Sequence, residues 1–183
     1  MQDQHMLFMI MLGCKPEGRH TEQHDIFFGI GSEIKDLVPD IKTFWPDAGE
    51  IHIDAYQNIT QADGYDVTII PVENSIEVTN EQHLFFINLG GYTKNIFDEQ
   101  HYKMLVAAPN MDAAKKKAKD NPFFKQYDQA HIDDKYAIDV DDIYKVETIL
   151  PAFMQQKYRI QLSPAALVNP SPMALGYFQM HLL

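Results

Sequence analysis

One apolar run occurs twice in the chain. Leu7 to Gly13 read LFMIMLG, and 77 positions later Leu84 to Gly90 read LFFINLG. Successive side chains of a strand point to opposite faces, and in the first run both alternating sets are apolar. This pattern is typical of a strand that is buried on both faces. The recurrence of the run predicts an internal tandem duplication.

Three shorter motifs repeat after these runs. They are Glu22-Gln23-His24 with Glu99-Gln100-His101, His52-Ile53-Asp54 with His131-Ile132-Asp133, and Thr68-Ile69-Ile70-Pro71 with Thr148-Ile149-Leu150-Pro151. The offset within a pair grows from 77 to 79 and then to 80 residues, as small loop insertions would cause. We therefore predict a first repeat over residues 6–78, a second over 79–151, and a C-terminal extension over 152–183. The extension is expected to pack on a repeat or on a partner subunit.

Each repeat is predicted to contain four strands and one helix. After the first strand, predicted strands cover residues 25–31, 50–59 and 65–71 in the first repeat and residues 102–108, 130–138 and 143–150 in the second. The first helix falls between Ser32 and Pro46, with Ser32 as its N-cap and a kink or break at Pro39. The second helix runs from Met111 to Lys119 with Asn110 as its cap. Residues 61–64, ending in Asp-Gly, predict the turn of a hairpin.

The order of these elements predicts the fold class. Short connections between sequential strands favour antiparallel pairing. We expect an α+β fold built from two tandem strand-strand-helix-strand-strand repeats with mainly antiparallel sheets. The two repeats are expected to be related by a pseudo-two-fold axis.

Composition narrows the classes of partner. The 183 residues include 26 acidic and 15 basic side chains, for a net charge of −11, which argues against nucleic acid as a partner. The single cysteine, Cys14, forms no intramolecular disulfide, so we expect a reducing compartment, the cytoplasm. Its place after an apolar run imitates a lipoprotein signal, but the run is short and no Lys or Arg precedes it. No segment is long and apolar enough to predict a membrane span.

The repeated Glu-Gln-His triplet supplies the first candidate site residues. Glu22 and His24 in the first repeat, and Glu99 and His101 in the second, precede a strand, where side chains from a loop can converge on a site. They are candidates for acid-base partners or metal ligands. The alternative is a polar turn that holds the loop against the sheet. A further copy, Glu81-Gln82-His83, lies at a different structural position and lowers the specificity of the motif.

A His-x-Asp pattern supplies the second set. His52 and Asp54 alternate with isoleucines, so both side chains are predicted on one face of a strand, and His131 and Asp133 repeat the pattern. Such a pair can supply two ligands of a zinc ion, with a third from His24 or His101. It is equally explained as a solvated face on which imidazole and carboxylate attract each other.

The loop after the first strand carries more reactive groups than its counterpart. Cys14, Lys15, Arg19 and His20 stand where the second repeat has Gly91, Tyr92, Ile96 and Phe97. If the chain has a single active site, we therefore expect it in the first repeat. A thiol beside cations can be nucleophilic. A cysteine that follows directly on a buried strand is more often a small core residue.

The first repeat also resembles a known family. The run LFMIMLGC, the segment TEQHD, and the motifs PDIKTFWPDAG and IHIDAY resemble the bacterial domain-of-unknown-function family 1543. The likeness extends from Leu7 to about Ile70, and more weakly over the second repeat. The resemblance implies a domain that occurs once or twice in a chain, and it implies no activity, cofactor or catalytic residue.

Three functions remain open at this point. The first is a soluble, non-catalytic module that binds a small molecule or a protein partner. The second is a metal-dependent or hydrolase-like enzyme that uses His20, Glu22, His24, His52 and Asp54. The third is a role in assembly, with the apolar C-terminal extension as the interface of a homo-oligomer. The sequence names no cofactor and leaves metal binding open.

Overall fold

A computed structural model of the chain describes residues 5–74, 81–92, 95–120 and 140–183. The chain divides into two compact units, the first comprising Met1–Val78 with Ile149–Leu183 and the second comprising Thr79–Thr148. The fold mixes α-helices with β-sheets, and the paired strands of the described residues are antiparallel, which confirms the predicted α+β character. No helix in the described residues combines the length and apolar character needed to cross a membrane.

The strands and helices are numbered in chain order. In the first unit they are β1 Met6–Cys14, β2 Gln23–Gly31, α1 Val38–Phe44, β3 Ile51–Asn58, β4 Gln61–Ala62 and β5 Tyr65–Pro71. In the second unit they are β6 His83–Tyr92, β7 Glu99–Ala108, α2 Met111–Lys119 and β8 Val140–Lys145. Then come α3 Val146–Ile149, and in the first unit again α4 Ala152–Lys157, β9 Tyr158–Pro164 and β10 Ala174–Gln179.

The first unit is built around β1. The main sheet has the strand order β10-β3-β1-β2, so β1 has a paired neighbour on both sides. One face of β1, carrying Phe8, Ile10, Leu12 and Cys14, is buried throughout, whereas Met9 and Met11 on the other face are half-buried. The burial of one face and the partial burial of the other explain why the sequence of β1 lacks polar alternation.

A second sheet in this unit has the order β4-β5-β9. The connection from β4 to β5 is the predicted hairpin turn, in which Asp63 and Gly64 have φ values of 50° and 81°. Consecutive positive φ angles match the right-handed twist of a tight hairpin, which explains the Asp-Gly pair. β9 pairs with β5, and β10 pairs with β3, so strands of the C-terminal extension belong to both sheets of the first unit.

The helical segment after β2 is broken, as the internal proline predicts. A 3-10 turn over Ile34–Leu37 precedes α1, and Pro39 lies in the first turn of α1. The prediction of Ser32 as N-cap is wrong. Glu33 occupies that position, and the Asp36 carboxylate accepts hydrogen bonds of 3.1 Å from the backbone N–H groups of both Ser32 and Glu33.

The second unit contains a three-stranded sheet of order β7-β6-β8 with α2 packed on it. The predicted bounds of α2 are confirmed, as is its cap, because Asn110 Oδ1 accepts a 2.9 Å hydrogen bond from the backbone N–H of Ala113. Ala114 and Ala118 are fully buried among the apolar side chains of β6 and β7. Small side chains at these positions allow the helix to approach the sheet closely.

One predicted strand of the second unit is wrong. The expected strand over residues 143–150 begins earlier, as β8, and its second half is the short helix α3. Glu147 pairs with Lys145 at 2.7 Å, and the Thr148 hydroxyl donates a 2.7 Å hydrogen bond to the Lys145 carbonyl, which closes this turn. The predicted strand over 130–138 lies outside the described residues.

The pairing registers of the two sheets correspond. Met6 faces Gly31 in the first unit and His83 faces Ala108 in the second, which is a shift of 77 positions on both strands. β1 also pairs with β3, and β6 pairs with β8. Each of these pairings has a register shift at the corresponding place, between Met11 and Leu12 and between Asn88 and Leu89. Val140 pairs with Leu89 as Ile53 pairs with Leu12. The predicted match of Ile132 with Ile53 lies outside the described residues.

Candidate functional site

A glycine brings two histidines of the first unit together. Gly13, near the end of β1, lies directly opposite His24 on β2 and opposite His52 on β3. Residues that face each other across antiparallel strands project to the same side of the sheet. Because Gly13 has no side chain, the imidazoles of His24 and His52 can approach each other above it.

Two carboxylates complete this group, which we call the His-carboxylate cluster: Glu22, His24, His52 and Asp54. His52 Nε2 lies 2.9 Å from Glu22 Oε1 and 3.2 Å from Asp54 Oδ1. His24 Nε2 lies 3.2 Å from Asp54 Oδ2 and 3.8 Å from Glu22 Oε2. Each imidazole thus contacts both carboxylates, and imidazole and carboxylate alternate around a closed ring.

A β-bulge places Asp54 in the cluster. Met11 pairs with Ala55 and Leu12 pairs with Ile53, so Asp54 is an extra residue in β3. On the other side of β3, the pairing with β10 is also irregular at this place, where Gly176 and Tyr177 intervene between paired residues. Bulges are often used to redirect side chains beside functional sites.

The interior of the cluster is tightly enclosed. His52 is buried, with 6% of its surface exposed, and the space above Gly13 is filled so closely that an added Cβ would lie 2.5 Å from both His52 Nε2 and Asp54 Oδ2. Asp54 Oδ2 is itself inaccessible to solvent and accepts no hydrogen bond, although His24 Nε2 is near. A buried carboxylate oxygen without a hydrogen bond is unusual and costly.

A cavity of about 270 Å³ adjoins His52. Its lining includes Lys42 from α1, Glu50 before β3, Tyr177 and Gln179 from β10, and His181 beyond that strand. The Tyr177 ring stacks on the His52 imidazole, with ring centroids 4.2 Å apart and an interplanar angle of 33°. His52 therefore contacts the two carboxylates of the cluster and also lines the cavity.

The other candidates of the first loop lie apart from these contacts. Lys15, Arg19 and His20 are exposed. Cys14 is fully buried, and burial together with the charge of Glu22 raises the pKa of its thiol. This environment favours the thiol over the thiolate and therefore supports a core role for Cys14 over a nucleophilic one.

The second unit carries part of the same arrangement. His101 faces Gly90 as His24 faces Gly13, and His101 Nε2 lies 3.8 Å from Glu99 Oε2. Asn88 contacts His101 Nδ1 at 3.3 Å, and its side-chain amide donates to Asp142 at 3.4 Å. His131 and Asp133 lie outside the described residues. Glu99 and His101 provide a matched comparison for Glu22 and His24.

His83, from the third Glu-Gln-His triplet, is not part of the His-carboxylate cluster. It begins β6, and its Nδ1 is buried without a hydrogen bond. Burial, reinforced by the nearby Lys145 charge, lowers the pKa of His83 from 6.5.

This pKa shift predicts an acid-sensitive contribution to stability. The folded state binds the proton less readily than the unfolded state, so the contribution is complete above pH 6.5 and is lost as pH falls through the lower folded-state pKa. We expect His83→Gln to flatten the dependence of unfolding free energy on pH over this window. Urea titrations at several pH values measure it; an unchanged pH slope would contradict the assignment to His83.

Two parts of the site were missed by sequence reasoning. The sequence predicts that Cys14 lies in the loop after the first strand, but β1 continues through Gly13 to Cys14. The recurrence of glycine at Gly90 is a sequence signal for the role of Gly13. Tyr177 lies far from His52 along the chain, and no local pattern indicates that the two rings meet.

Comparison with known proteins finds a family model that matches part of the first unit. The model of the Domain of Unknown Function family DUF1543 matches residues 19–69, a segment that contains all four cluster residues. The resemblance found in the sequence is thereby confirmed for this segment, which spans β2 to β5, whereas a second DUF1543 match over the other unit is lacking.

Solved structures extend the comparison to the whole fold. Four chains of known structure match. Among them, protein Il1583 from Idiomarina loihiensis has a TM-score of 0.66 and 22% identity, over 96% of this chain and 98% of that chain. At this identity, the likeness shows a shared fold. No curated protein matches the chain significantly.

Proposed function

We propose that the chain is a non-catalytic binding module that takes up a small polar molecule in the cavity beside His52. The observation that carries this proposal is the lining of the cavity, which joins a buried imidazole to a stacked tyrosine ring. Binding sites combine such apolar surfaces with a few fixed polar groups. The volume of about 270 Å³ lies just below the range of about 300–1,000 Å³ for ligand pockets, which indicates a small ligand.

The polar lining indicates the chemistry of that ligand. Lys42, His52, Gln179 and His181 can donate hydrogen bonds, whereas Glu50 is the one carboxylate among the lining residues. This concentration of donors occurs in a chain whose net charge is −11. A small molecule with a carboxylate or a similar acceptor group suits this lining because charge-assisted hydrogen bonds are the strong ones.

Ligand-observed NMR with small mono- and dicarboxylates and their neutral amides tests this proposal. We expect the carboxylates to bind in preference to the amides. Lys42→Ala is expected to weaken their binding about 10- to 100-fold, equivalent to about 1.5–3 kcal/mol for a hydrogen bond to a charged group. Lys115→Ala, at an exposed position of α2, is the control and should leave binding unchanged. Equal binding of both ligand sets, or no effect of Lys42→Ala, would contradict the proposal.

A metal-dependent or hydrolase-like enzyme is the alternative function. The observation that favours it is the meeting of two imidazoles and two carboxylates in the His-carboxylate cluster. Such groups serve as general acids, general bases or metal ligands. Turnover of an ester or phosphoester by the purified protein, lost in His24→Ala, would replace the binding module by this alternative.

A protein partner or a second copy of the chain is a further binding role that the sequence predicts. Exposed apolar side chains of the C-terminal extension, including Leu167, Val168 and Leu175, support it. A cytoplasmic location is proposed with this function because the buried, single Cys14 needs no oxidising compartment.

Duplication of one ancestral unit is proposed as the origin of the chain. The corresponding registers of β1 with β2 and of β6 with β7 support this origin, as do the corresponding register shifts beside β3 and β8. The pseudo-two-fold relation between the copies stays a prediction from the sequence.

A further inference from the structure

We infer that the His-carboxylate cluster is a binding site for one divalent transition-metal ion, with Zn²⁺ as its simplest probe. The inference goes beyond the proposed uptake of a small molecule and requires no catalysis. It concerns Glu22, His24, His52 and Asp54, which meet on the sheet above Gly13, whereas the cavity lies on the Tyr177 side of His52.

The distances between nitrogen and oxygen atoms in the cluster are close to the distances between neighbouring donor atoms around a bound metal ion. Tetrahedral zinc at about 2.0–2.1 Å from each donor separates neighbouring donors by about 3.3 Å. The four nitrogen-to-oxygen distances around the cluster are 2.9, 3.2, 3.2 and 3.8 Å, which bracket that separation. Surface ion pairs join two residues, whereas here each of four side chains contacts two others.

Two further features point to a ligand between these side chains. Asp54 Oδ2 is buried without a hydrogen bond, and a cation would satisfy it electrostatically. The same oxygen and His52 Nε2 occupy the space where a residue other than glycine would place its Cβ. Gly13 lies between the two strands that carry His24 and His52. Its lack of a side chain therefore leaves room for donor atoms.

The chemistry of the donors selects the class of ion. Two imidazole nitrogens disfavour Mg²⁺ and Ca²⁺, which prefer oxygen ligands, and favour Zn²⁺ and its transition-metal neighbours. Two carboxylates supply the negative charge that balances a divalent ion while the imidazoles are neutral. The alternative is a pair of imidazolium groups held by the carboxylates, which needs no ion.

Occupancy requires an adjustment of side chains. Across the described residues, no three or more His, Cys, Asp or Glu side chains are already arranged to hold a metal ion. Glu22 and His24 can make the adjustment because their side chains are 43% and 45% exposed, whereas the buried His52 supplies the fixed ligand. Rotation of exposed side chains about their rotamers is fast and inexpensive compared with refolding of the sheet.

Calorimetric titration of the full chain with Zn²⁺ tests the inference. We expect one ion per chain, with affinity reduced more than about 100-fold in His24→Ala and in Glu22→Gln, since loss of an outer-shell partner alone costs about 10- to 100-fold. His101→Ala, the matched change in the second unit, should leave the affinity unchanged. Lys42→Ala, on the cavity, should also leave it unchanged, so failure of the cavity proposal is distinguishable from failure of this one.

Proton NMR gives a measurement that needs no variant. The chain has eight histidines, and substoichiometric Zn²⁺ should broaden or shift the imidazole signals of only two of them. Binding should also weaken at acid pH because protonated imidazole cannot ligate. Absence of Zn²⁺ binding, unchanged affinity in His24→Ala, or perturbation of other histidines instead of His24 and His52 would overturn the inference.

Discussion

Gly13→Ala is expected to destabilise the first unit and to disperse the His-carboxylate cluster. The added methyl group would lie 2.5 Å from both Asp54 Oδ2 and His52 Nε2, which is closer than side-chain atoms pack in proteins. Because His52 is buried, the backbone or the imidazole must move. Overpacking at such a position costs about 1–3 kcal/mol of unfolding free energy.

Chemical denaturation and Zn²⁺ titration of the same variant separate the two effects. The matched control is Gly29→Ala on β2 of the same sheet, where the added Cβ would lie 2.8 Å from Phe27 and 2.9 Å from Leu37. This control overpacks the core without touching the cluster. We expect both variants to lose stability and only Gly13→Ala to lose the ion site.

Three other results would contradict parts of this prediction. If Gly13→Ala keeps wild-type stability, the enclosed geometry above Gly13 is wrong. If it loses stability but binds Zn²⁺ as the wild type does, the cluster is not the ion site. Comparable loss of Zn²⁺ binding in Gly29→Ala would instead mean that general destabilisation, and not the position of Gly13, controls the site.

Part of the cluster was predictable from local sequence. The alternation of His52 and Asp54 with isoleucines placed both on one strand face, and the Glu-Gln-His triplet placed Glu22 and His24 at the start of a strand. Their meeting was not predictable, since it depends on two independent registers that both bring a histidine opposite Gly13. Register is a tertiary property that motif spacing does not contain.

The elements were predicted best where apolar periodicity and caps agree. α2 and its Asn110 cap follow from such agreement, as does the hairpin at Asp63. The segment over α3 was misassigned because Val146 and the following Thr and Ile favour strands locally. The buried Val146 and the turn closed by Thr148 decide in favour of a helix, and neither contact is visible in local propensity.

The pairing partners of the strands in the C-terminal extension were also not predictable from local sequence. The residues from Tyr158 to Leu162 alternate as in a strand, and they lie in β9. The partner of that strand is β5, which is distant in sequence, and the partner of β10 is β3. An assembly role for the extension therefore cannot be isolated by deleting it, because its strands complete sheets of the first unit.

Deletion of residues 152–183 is accordingly expected to abolish cooperative folding of the first unit. It would remove β9 from its pairing along the whole of β5, and β10 from β3. It would also remove Met154 and Ile160, each 2% exposed, whose truncation to alanine alone costs about 2–5 kcal/mol apiece. These losses approach the whole stability of about 5–15 kcal/mol typical of a domain, before the exposed strand edges are considered.

Thermal denaturation followed by circular dichroism, with amide NMR of β1 and β3, measures the effect. The control is removal of residues 180–183 alone, which spares β9 and β10 and should preserve the cooperative transition. The single change Ile160→Ala should lower the unfolding free energy by about 2–5 kcal/mol without abolishing folding. Native dispersion of the β1 and β3 signals after deletion of 152–183 would show that the extension is dispensable, and would restore its proposed use as an interface for a partner.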